Sequence, residues 1–492
     1  MRREVTESSP VGLGVRPIPF SSISNRSVPF STSVFSGLLA AIDGTTVFLT
    51  GIIIFLSYLG WSKNASAYVC GSMVITLVIT TVLYGSGLYE LREQSRVISY
   101  RKMAVGCGCA FLAVIAVGFA LKISQEFSRV WLFSYFGASL PLLIIVHYLV
   151  ERRLRRWGIS GKVARNVAIF GGTGLAKRLI EFVEKSQDPW VRILGVFDDR
   201  QSLGRSDSCQ YPMLGNVEKL ISFGRQRRID DIVIALPWGA EERTLGIVER
   251  LRVLPVSVHL CPDAIGFNFV QNGYANLCGV PVLKVFQKPV SGWDYVAKAI
   301  EDKVLAALLL VLTLPVIALI SVCIKLDSPG PVLFRQKRYG FNDQLIDIYK
   351  FRSIRVEQQD EDATCLVTRN DPRVTRVGSF LRRTSLDELP QLLNVLKGEM
   401  SIVGPRPHAL NASAQGRLYH EVVEKYSTRH KVKPGITGWA QVSGWRGETD
   451  TEEKIRKRVE HDIFYIENWS LGLDISIVLR TMWVVVKGNS AY

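Results

Sequence analysis

Four apolar runs near the N-terminus constrain the fold of this chain more than any other feature. They cover Thr45–Leu59, Ala67–Leu88, Met103–Leu121 and Val130–Val150 and have almost no polar face. A helix needs about 20 apolar residues to cross a bilayer, and each run approaches that length. The first run reaches it by extending back past Asp43, and a carboxylate at that depth predicts a nearby partner. We therefore predict a four-helix transmembrane bundle over residues 34–157, after a disordered cytoplasmic tail at residues 1–33.

Positive charge predicts the orientation of this bundle. Basic residues precede the first run, lie between the second and third, and follow the fourth at Arg152, Arg153, Arg155 and Arg156. Because cytoplasmic loops are enriched in arginine and lysine, both ends of the bundle are predicted to face the cytoplasm. The net charge of +16 accompanies a mean hydropathy of +0.17. We attribute this charge to contact with anionic headgroups or a phosphorylated substrate, and we predict no nucleic-acid partner.

The pattern of the chain changes after Ala164, where strands and helices alternate. Buried strands are predicted at Val167–Phe170, Arg192–Phe197, Asp231–Leu236 and Val256–Leu260. This alternation predicts a Rossmann-like parallel-sheet domain over residues 158–285. A glycine turn at Gly171–Gly174 resembles a phosphate-binding turn, but Lys177 occupies the third glycine position of that fingerprint. A tight turn in a regulatory or spacer domain is the favoured interpretation, and nucleotide binding stays open.

The segment Leu381–Pro407 concentrates charged side chains of both signs. These are the adjacent carboxylates Asp387 and Glu388 and the arginines Arg382, Arg383 and Arg406. Arginine binds phosphate oxygens through a planar fork, and a carboxylate can act as a nucleophile, a base or a metal ligand. The segment therefore predicts chemistry on a phosphate. The spacing also predicts a helix cap, in which Ser385 and Glu388 form a capping box that holds Asp387 in the first helical turn.

A fifth apolar run, Val304–Ile324, precedes this segment and contains Pro315. Its length predicts a membrane span, whereas a central proline removes a hydrogen bond and kinks the helix. A crossing would place the Arg- and acid-rich segment outside the cell, away from the cytoplasmic pool of nucleotide-activated substrates. We therefore predict a re-entrant membrane helix near residues 300–325, broken at Leu314–Pro315. A full span is the alternative.

Several short motifs follow the fifth run in a specific order. They are Ser-Pro-Gly-Pro at 328–331, Tyr-Lys-Phe-Arg-Ser at 349–353, Asp-Pro-Arg at 371–373, the Asp-Glu pair, Gly-Pro-Arg-Pro at 404–407 and Lys-Pro-Gly-Ile-Thr-Gly-Trp at 433–439. In this order they resemble the monotopic polyprenyl-phosphate phosphoglycosyl transferases, the bacterial sugar transferases that begin glycan assembly. The layout of four spans, an α/β domain and a catalytic domain at residues 286–492 resembles the large members of that family. Residues 444–449 and 490–492 resemble the undecaprenyl-phosphate glucose phosphotransferases of exopolysaccharide synthesis.

The resemblance implies a reaction in which a UDP-sugar and undecaprenyl phosphate give an undecaprenyl-diphosphate sugar and UMP. It implies a covalent phosphosugar on Asp387, and Mg²⁺ held by Asp387 and Glu388. Glu388 would orient the nucleophile or the ion, or assist proton handling. Phosphate would be held by Arg382 and Arg406, with Arg383 beside them. The basic residues Lys325, Arg335 and Arg338 would bind the lipid phosphate or contact the membrane.

The same resemblance places the chain in the bacterial inner membrane, with the catalytic domain facing the cytoplasm. Leu314, preceded by Thr313, stands where many family members have a serine before the helix-breaking proline. Glucose is the favoured sugar and galactose the alternative. A membrane-anchored nucleotide-binding regulator, with the turn at Gly171 as its active feature, is the alternative from another functional class. Homodimer formation is left open.

Overall fold

The computed structural model describes sixteen ranges of the chain. These are residues 32–61, 64–89, 99–122, 126–159, 164–185, 191–200, 211, 213–237, 239–261, 275–277, 280–356, 371–410, 412–414, 417–423, 425–447 and 451–486. Nearly all of the predicted N-terminal tail, and the last residues of the family resemblance, lie outside these ranges.

Four long helices open the described chain. They are α1 at Thr32–Leu59, α2 at Ala65–Gly85, α3 at Tyr100–Ala120 and α4 at Arg129–Ile159. They share one apolar core that includes Phe55, Met103 and Trp131. Asp43 of α1 is fully buried, and His147 of α4 lies 2.8 Å from its carboxylate. The carboxylate thus has the partner that a charged group among apolar helices requires.

A seven-stranded sheet follows the four helices. Its strands are β1 at Arg165–Phe170, β2 at Val191–Phe197, β3 at Met213–Gly215, β4 at Asp231–Ile234, β5 at Ser257–Leu260, β6 at Ala275–Leu277 and β7 at Val280–Phe286, in the spatial order β3-β2-β1-β4-β5-β7-β6. Helices α5 at Gly174–Lys185, α6 at Val217–Gln226 and α7 at Glu241–Leu251 alternate with the strands. The first five strands are parallel, as predicted. Strand β7 pairs antiparallel with β5 and β6, so the sheet is mixed at this edge.

The glycine turn after β1 is already occupied by a side chain of the protein. Gly171 has a φ of 117°, and a Cβ there would lie 2.6 Å from the Ala235 carbonyl oxygen, so a glycine is required. The next amide, Gly172 N–H, donates to the Asp198 carboxylate at 2.7 Å, and Arg243 pairs with the same carboxylate. A carboxylate therefore stands where a bound phosphate would accept this hydrogen bond, which favours the interpretation as a structural turn.

The C-terminal part is built on a long helix, α8, at Gly292–Asp327. The strands that follow are β8 at Leu333–Tyr339, β9 at Leu345–Phe351, β10 at Ser401–Val403, β11 at Ser413–Ala414, β12 at Arg417–Leu418 and β13 at Gly435–Thr437. The helices are α9 at Arg376–Thr384, α10 at Leu392–Lys397, α11 at Tyr419–Val422, α12 at Trp439–Val442, α13 at Glu452–Glu467 and α14 at Leu471–Val486. Short 3-10 helices occupy Phe341–Asp343, Leu386–Gln391 and Tyr426–Lys431.

Helix α8 is one continuous element of 36 residues with Pro315 inside it. The predicted interruption at Leu314–Pro315 is therefore not present as a gap between two helices. A proline removes one amide donor, and the remaining hydrogen bonds of a long helix can continue on both sides of it. Thr313 Oγ1 donates to the Leu309 carbonyl oxygen at 2.7 Å, a back-bond that bends helices.

Five described helices are long and apolar enough to cross a membrane, namely Ser33–Leu59, Ala65–Gly85, Tyr100–Ala120, Arg129–Arg153 and Gly292–Asp327. The middle of α8 exposes apolar side chains, with Val311 at 72% and Leu312 at 65% exposure. Helix α14 adds Leu479 and Trp483, both more than half exposed. Such a continuous apolar surface marks a contact with lipid or with another protein.

Candidate functional site

The Asp-Glu pair lies on a short 3-10 helix at the point where the chain leaves α9. Ser385 ends α9 in the left-handed conformation, with a φ of 56°, and Leu386–Gln391 follow it. The predicted capping box is wrong, because Ser385 makes no side-chain cap. An N-cap residue has extended backbone angles, whereas Ser385 has those of a helix C-terminus. Its Oγ instead accepts a hydrogen bond from Arg446 Nη2 at 2.6 Å.

Two cations hold the carboxylate of Glu388. Arg406 donates through both terminal nitrogens, at 2.5 Å to Oε1 and 3.2 Å to Oε2. Lys350 Nζ donates to Oε1 at 3.0 Å. Burial alone would raise the pKa of Glu388, but Arg406 and Lys350 together bring it well below the usual range. Glu388 is therefore a fixed anion.

Asp387, its neighbour, is in a different state. Its side chain is buried, and no hydrogen bond joins its carboxylate to any residue in the described ranges. Burial raises the pKa of Asp387 and the negative charge of Glu388 adds to this, whereas Lys350 and Arg382 act in the opposite direction. A desolvated carboxylate without hydrogen-bond donors is a stronger base and nucleophile than a solvated one.

The structure distributes the predicted basic residues over three environments. Arg406 is engaged by Glu388, whereas Arg382 donates only through Nε, to Ser353 Oγ at 3.2 Å. Arg383, Lys325 and Arg335 are exposed, and Arg335 lies 5.4 Å from the ring of Tyr349. Arg338 is held inward, where it donates to Gln336 Oε1 and to the Pro407 carbonyl oxygen. Within the described residues, Arg382 and Arg383 are therefore the predicted phosphate ligands with donors to spare.

A cavity of about 330 Å³ reaches Glu388 from the side of the apolar helices. Its polar end contains Glu388, Ser385 and Arg446, and Asp387 is not in its wall. Its apolar walls come from the middle of α8 and from α14, through Leu309, Thr313, Val478, Thr481 and Met482. The cavity therefore connects an exposed apolar surface to a site with both cationic and anionic groups.

Sequence comparison relates this arrangement to known proteins. The profile of the bacterial sugar transferase family matches residues 293–488, and that of a CoA-binding domain matches residues 85–262. A UDP-glucose:undecaprenyl-phosphate glucose-1-phosphate transferase of Escherichia coli K12 is 42% identical over 391 residues, which is 77% of this chain and 81% of that protein. A protein of the same name from Xanthomonas campestris pv. campestris is 35% identical, over 92% of this chain and 94% of that protein.

The chain belongs to the bacterial sugar transferases of the polyprenyl-phosphate phosphoglycosyl transferase family. A third relative with the same name, from Klebsiella pneumoniae, is 43% identical over 77% of this chain and 83% of that protein. Among solved structures, a Rex-family repressor matches 39% of this chain and 80% of the repressor chain at 14% identity and a TM-score of 0.18, which supports no structural argument.

The donor set of this transferase is compatible with a magnesium ion that arrives with a substrate. Mg²⁺ is commonly bound by one or two carboxylates together with substrate phosphates and water. Asp387 offers a carboxylate without a hydrogen-bond donor, while both oxygens of Glu388 are occupied. Within the described ranges no group of three His, Cys, Asp or Glu residues is arranged to hold a metal. The site therefore fits a magnesium ion whose other ligands are oxygens of the substrate phosphates.

Two residues of the site were not predicted as site residues. Lys350 lies on β9, 38 positions before the carboxylate that it pairs with, and Arg446 lies in the loop after α12, 61 positions after Ser385. Both belong to motifs that carry the family resemblance, at residues 349–353 and 444–449. The sequence therefore places both residues in recognisable motifs, whereas their contacts with Glu388 and Ser385 depend on the fold.

Proposed function

We propose that this transferase moves glucose-1-phosphate from UDP-glucose to undecaprenyl phosphate and releases UMP, as the first membrane step of exopolysaccharide synthesis. The relatives at 35–43% identity carry the name of this reaction. The structural observation that carries the proposal is the contrast within one carboxylate pair. Glu388 is clamped by two cations, whereas the neighbouring Asp387 is buried and has no hydrogen-bond donor among the described residues.

In the first step, a carboxylate oxygen of Asp387 attacks the β-phosphorus of UDP-glucose. A phosphorus–oxygen bond forms to Asp387, and the bond from the β-phosphorus to the oxygen bridging to UMP breaks. UMP leaves with that electron pair. Phosphoryl transfer depends mainly on alignment and charge neutralisation, so Arg382 and the Arg406–Glu388–Lys350 cluster position the diphosphate and the nucleophile.

In the second step, a phosphate oxygen of undecaprenyl phosphate attacks the same phosphorus and displaces the Asp387 carboxylate. The product is undecaprenyl-diphosphate glucose, and Asp387 is regenerated. The cavity between α8 and α14 suits this acceptor, because its apolar walls fit an isoprenoid chain and Arg446 at its polar end fits a phosphate. Lys325, near the end of α8, and Arg335, on β8, are exposed and would attract the anionic headgroup.

Magnesium would bind through Asp387 and the diphosphate oxygens, where it would neutralise charge on the transferred phosphate. Glu388 would not coordinate the ion directly, since its two oxygens already pair with Arg406 and Lys350. In this arrangement Glu388 keeps Lys350 and Arg406 beside the reacting group, and it maintains a negative charge next to Asp387.

Helix α8 would enter the membrane and return to the same face. Its first half packs on the catalytic domain through Leu305, Ala306 and Leu309, and its second half packs there through Ile320 and Ile324. Five exposed apolar residues of α8 lie between these two contacts, and others lie on both sides of them; the five are Val311, Leu312, Leu314, Val316 and Leu319. A helix held at both ends by one cytoplasmic domain is compatible with a re-entrant path, whereas a full span would separate its two ends.

The proposal places the enzyme in the bacterial inner membrane with its catalytic domain in the cytoplasm, where UDP-glucose is made. The N-terminal helices α1–α4 would form a transmembrane bundle. Homodimer formation and galactose as the alternative sugar stay predictions.

The proposal is tested by UMP release from the detergent-purified protein with Mg²⁺, undecaprenyl phosphate and either UDP-glucose or UDP-galactose. We expect release with UDP-glucose that requires the lipid phosphate for multiple turnovers. Asp387→Asn should lower the rate at least 1,000-fold, because removal of a nucleophile commonly costs about 10³–10⁶ in rate. Asp347→Asn is the matched control, because Asp347 is exposed on β9 and its substitution should leave the rate unchanged.

Covalent chemistry gives a second readout. A short reaction with UDP-[³²P]glucose labelled at the β-phosphate, without lipid, should leave one label on the wild-type protein and none on Asp387→Asn. Absence of UMP release with every UDP-hexose from a folded protein would refute the proposal and favour a nucleotide-binding regulator.

A further inference from the structure

A second cavity, of about 310 Å³, lies between the α/β sheet and the catalytic domain. The sheet contributes Ile229 and Val256, which lie just before β4 and β5, at the N-terminal edge of the parallel strands. Rossmann-type sheets bind nucleotides at the opposite, C-terminal edge, where the Gly171 turn lies here. Asp387, Glu388 and Arg406 do not line this cavity. It is therefore separate from both the transferase site and the usual nucleotide edge.

Three lysines in the wall of this cavity lack a carboxylate partner. Lys288 precedes α8, whereas Lys431 and Lys433 lie two positions apart just before β13, and none lies within 4 Å of a carboxylate of the described chain. Each is partly buried. Burial lowers the pKa of all three, in Lys431 to about 8. A folded protein rarely keeps several desolvated cations together unless an anion is bound there for part of the time.

Most other charges of the wall are already paired, including Arg228 with Asp230 at 2.7 Å. Arg225 pairs with Asp343 at 2.8 Å, and Lys298 pairs with Asp474 at 2.6 Å. The acidic residue in the wall, Asp302, accepts hydrogen bonds from Ser401 Oγ and the Ile402 amide and lies 3.1 Å from Lys298. The three lysines therefore give the cavity an excess of positive charge.

Side-chain contacts fix the two walls relative to each other. Asn342 Nδ2 donates to the Gly224 carbonyl oxygen at 2.8 Å across the domain boundary. Asn342 and Asp343 both have a positive φ, of 55° and 58°, and Asp343 also contacts His430 and Arg225. Two consecutive left-handed residues are costly, and their interdomain contacts hold them in place. The cavity is thus formed by both domains together.

We propose that this interdomain cavity binds a nucleotide, with its phosphates on Lys288, Lys431 and Lys433 and its base against the aromatic wall. The wall contains Tyr295, Phe341 and Trp469, and such side chains stack with planar rings. Ammonium groups bind phosphate as compact point charges and need no fixed geometry. The inference is independent of the chemistry at Asp387. A ligand held by both domains would stabilise their contact.

The test is equilibrium binding of ATP and of inorganic pyrophosphate to the full-length protein in detergent, with thermal unfolding as a second readout. ATP has no uridine, so it is not a donor analogue. We expect ATP to bind and to raise the unfolding temperature, since a ligand specific for the folded state stabilises it. Lys431→Met/Lys433→Met should weaken ATP binding at least tenfold. The control, Lys177→Met/Lys185→Met, removes two exposed lysines of α5 and should bind as the wild type does.

Two outcomes would overturn the proposal. They are no ATP binding by the wild type at millimolar concentration, and equal binding by the Lys431→Met/Lys433→Met variant. Pyrophosphate is expected to bind more weakly than ATP, and equal binding would refute a role for the base. Methionine keeps the packing of the lysine stem, so the variant should fold and release UMP normally. If it does not fold, Lys288→Met replaces it in the same assay.

Discussion

At the scale of single residues, the site depends on two adjacent carboxylates in opposite states. The cations that hold Glu388 have no direct hydrogen bond to Asp387, and they act on it through space. A carboxylate that accepted hydrogen bonds from Lys350 or Arg406 would be a weaker nucleophile. The arrangement therefore keeps positive charge near the reacting phosphate without neutralising the group that attacks it.

Lys350 should control the acid limb of the pH profile. Burial and the negative charge of Glu388 raise the pKa of Asp387 above its usual value. On acidification, activity is therefore lost at a higher pH than an ordinary aspartate would give. Lys350 is the strongest influence in the opposite direction. Lys350→Met should therefore raise that pKa further and move the acid limb of kcat/KM to higher pH.

The measurement is UMP release from pH 4.5 to 8.5 for the wild type, Lys350→Met and Lys350→Arg. The arginine variant keeps the charge, so its acid limb should stay near that of the wild type. A methionine variant that is slower at all pH values by one constant factor would contradict this prediction.

Sequence reasoning identified the carboxylate pair and the arginines, but it did not identify their partners. A guanidinium fork fits carboxylate and phosphate equally well, so the sequence could not distinguish Arg406 as a partner of Glu388 from Arg406 as a phosphate ligand. Ser385 fits a capping box by spacing, and only the backbone shows that α9 ends there in a left-handed residue. Lys350 pairs with a carboxylate 38 positions away, and the sequence alone does not show that contact.

At the scale of elements, α8 is joined to α14 by a buried ion pair. Asp474 is fully buried and accepts hydrogen bonds from Lys298 at 2.6 Å, Tyr465 at 2.9 Å and Trp469 at 3.0 Å. The sequence after Asp474 is largely apolar from Ile475 to Val486, a pattern that is typical of a helix. It did not indicate that the aspartate faces inward, because that depends on a lysine 176 positions away.

Loss of this lysine should destabilise the catalytic domain. Lys298→Met leaves a buried charge without its cation, which commonly costs about 3–5 kcal/mol. The two remaining donors to Asp474 place the expected loss near the lower value. Urea unfolding in detergent, followed by tryptophan fluorescence, measures it. Lys303→Met, an exposed lysine on the same helix, should have no effect, and Lys298→Met/Asp474→Asn should recover part of the lost stability.

The strands show what local pattern can and cannot predict. The predicted starts of β1, β2, β4 and β5 lie within two residues of the observed ones, because buried parallel strands are short apolar runs. The mixed edge was not predicted. Strand direction at an edge depends on the connection between strands, and β7 can pair antiparallel without a helical crossover.

At the scale of the whole molecule, the proposed topology has a direct test by cysteine labelling in a cysteine-free background. Asp294→Cys and Lys325→Cys are exposed positions at opposite ends of α8. A re-entrant helix predicts that a membrane-impermeant maleimide labels both in inverted inner-membrane vesicles and neither in intact spheroplasts. Trp61→Cys, in the exposed turn after α1, is the control and should label in spheroplasts. Opposite labelling of the two α8 positions would establish a full span.

The attachment of both ends of α8 to one domain has a consequence for the lipid environment. A helix that returns to its own face contacts one leaflet, so the depth of the catalytic domain is set by protein contacts and not by the distance between the two headgroup layers. In the proposed transmembrane bundle, in contrast, the four N-terminal helices must match the full hydrocarbon thickness. Reconstitution into short-chain and long-chain lipids should therefore strain the bundle while leaving the position of Asp387 relative to the nearer headgroups unchanged.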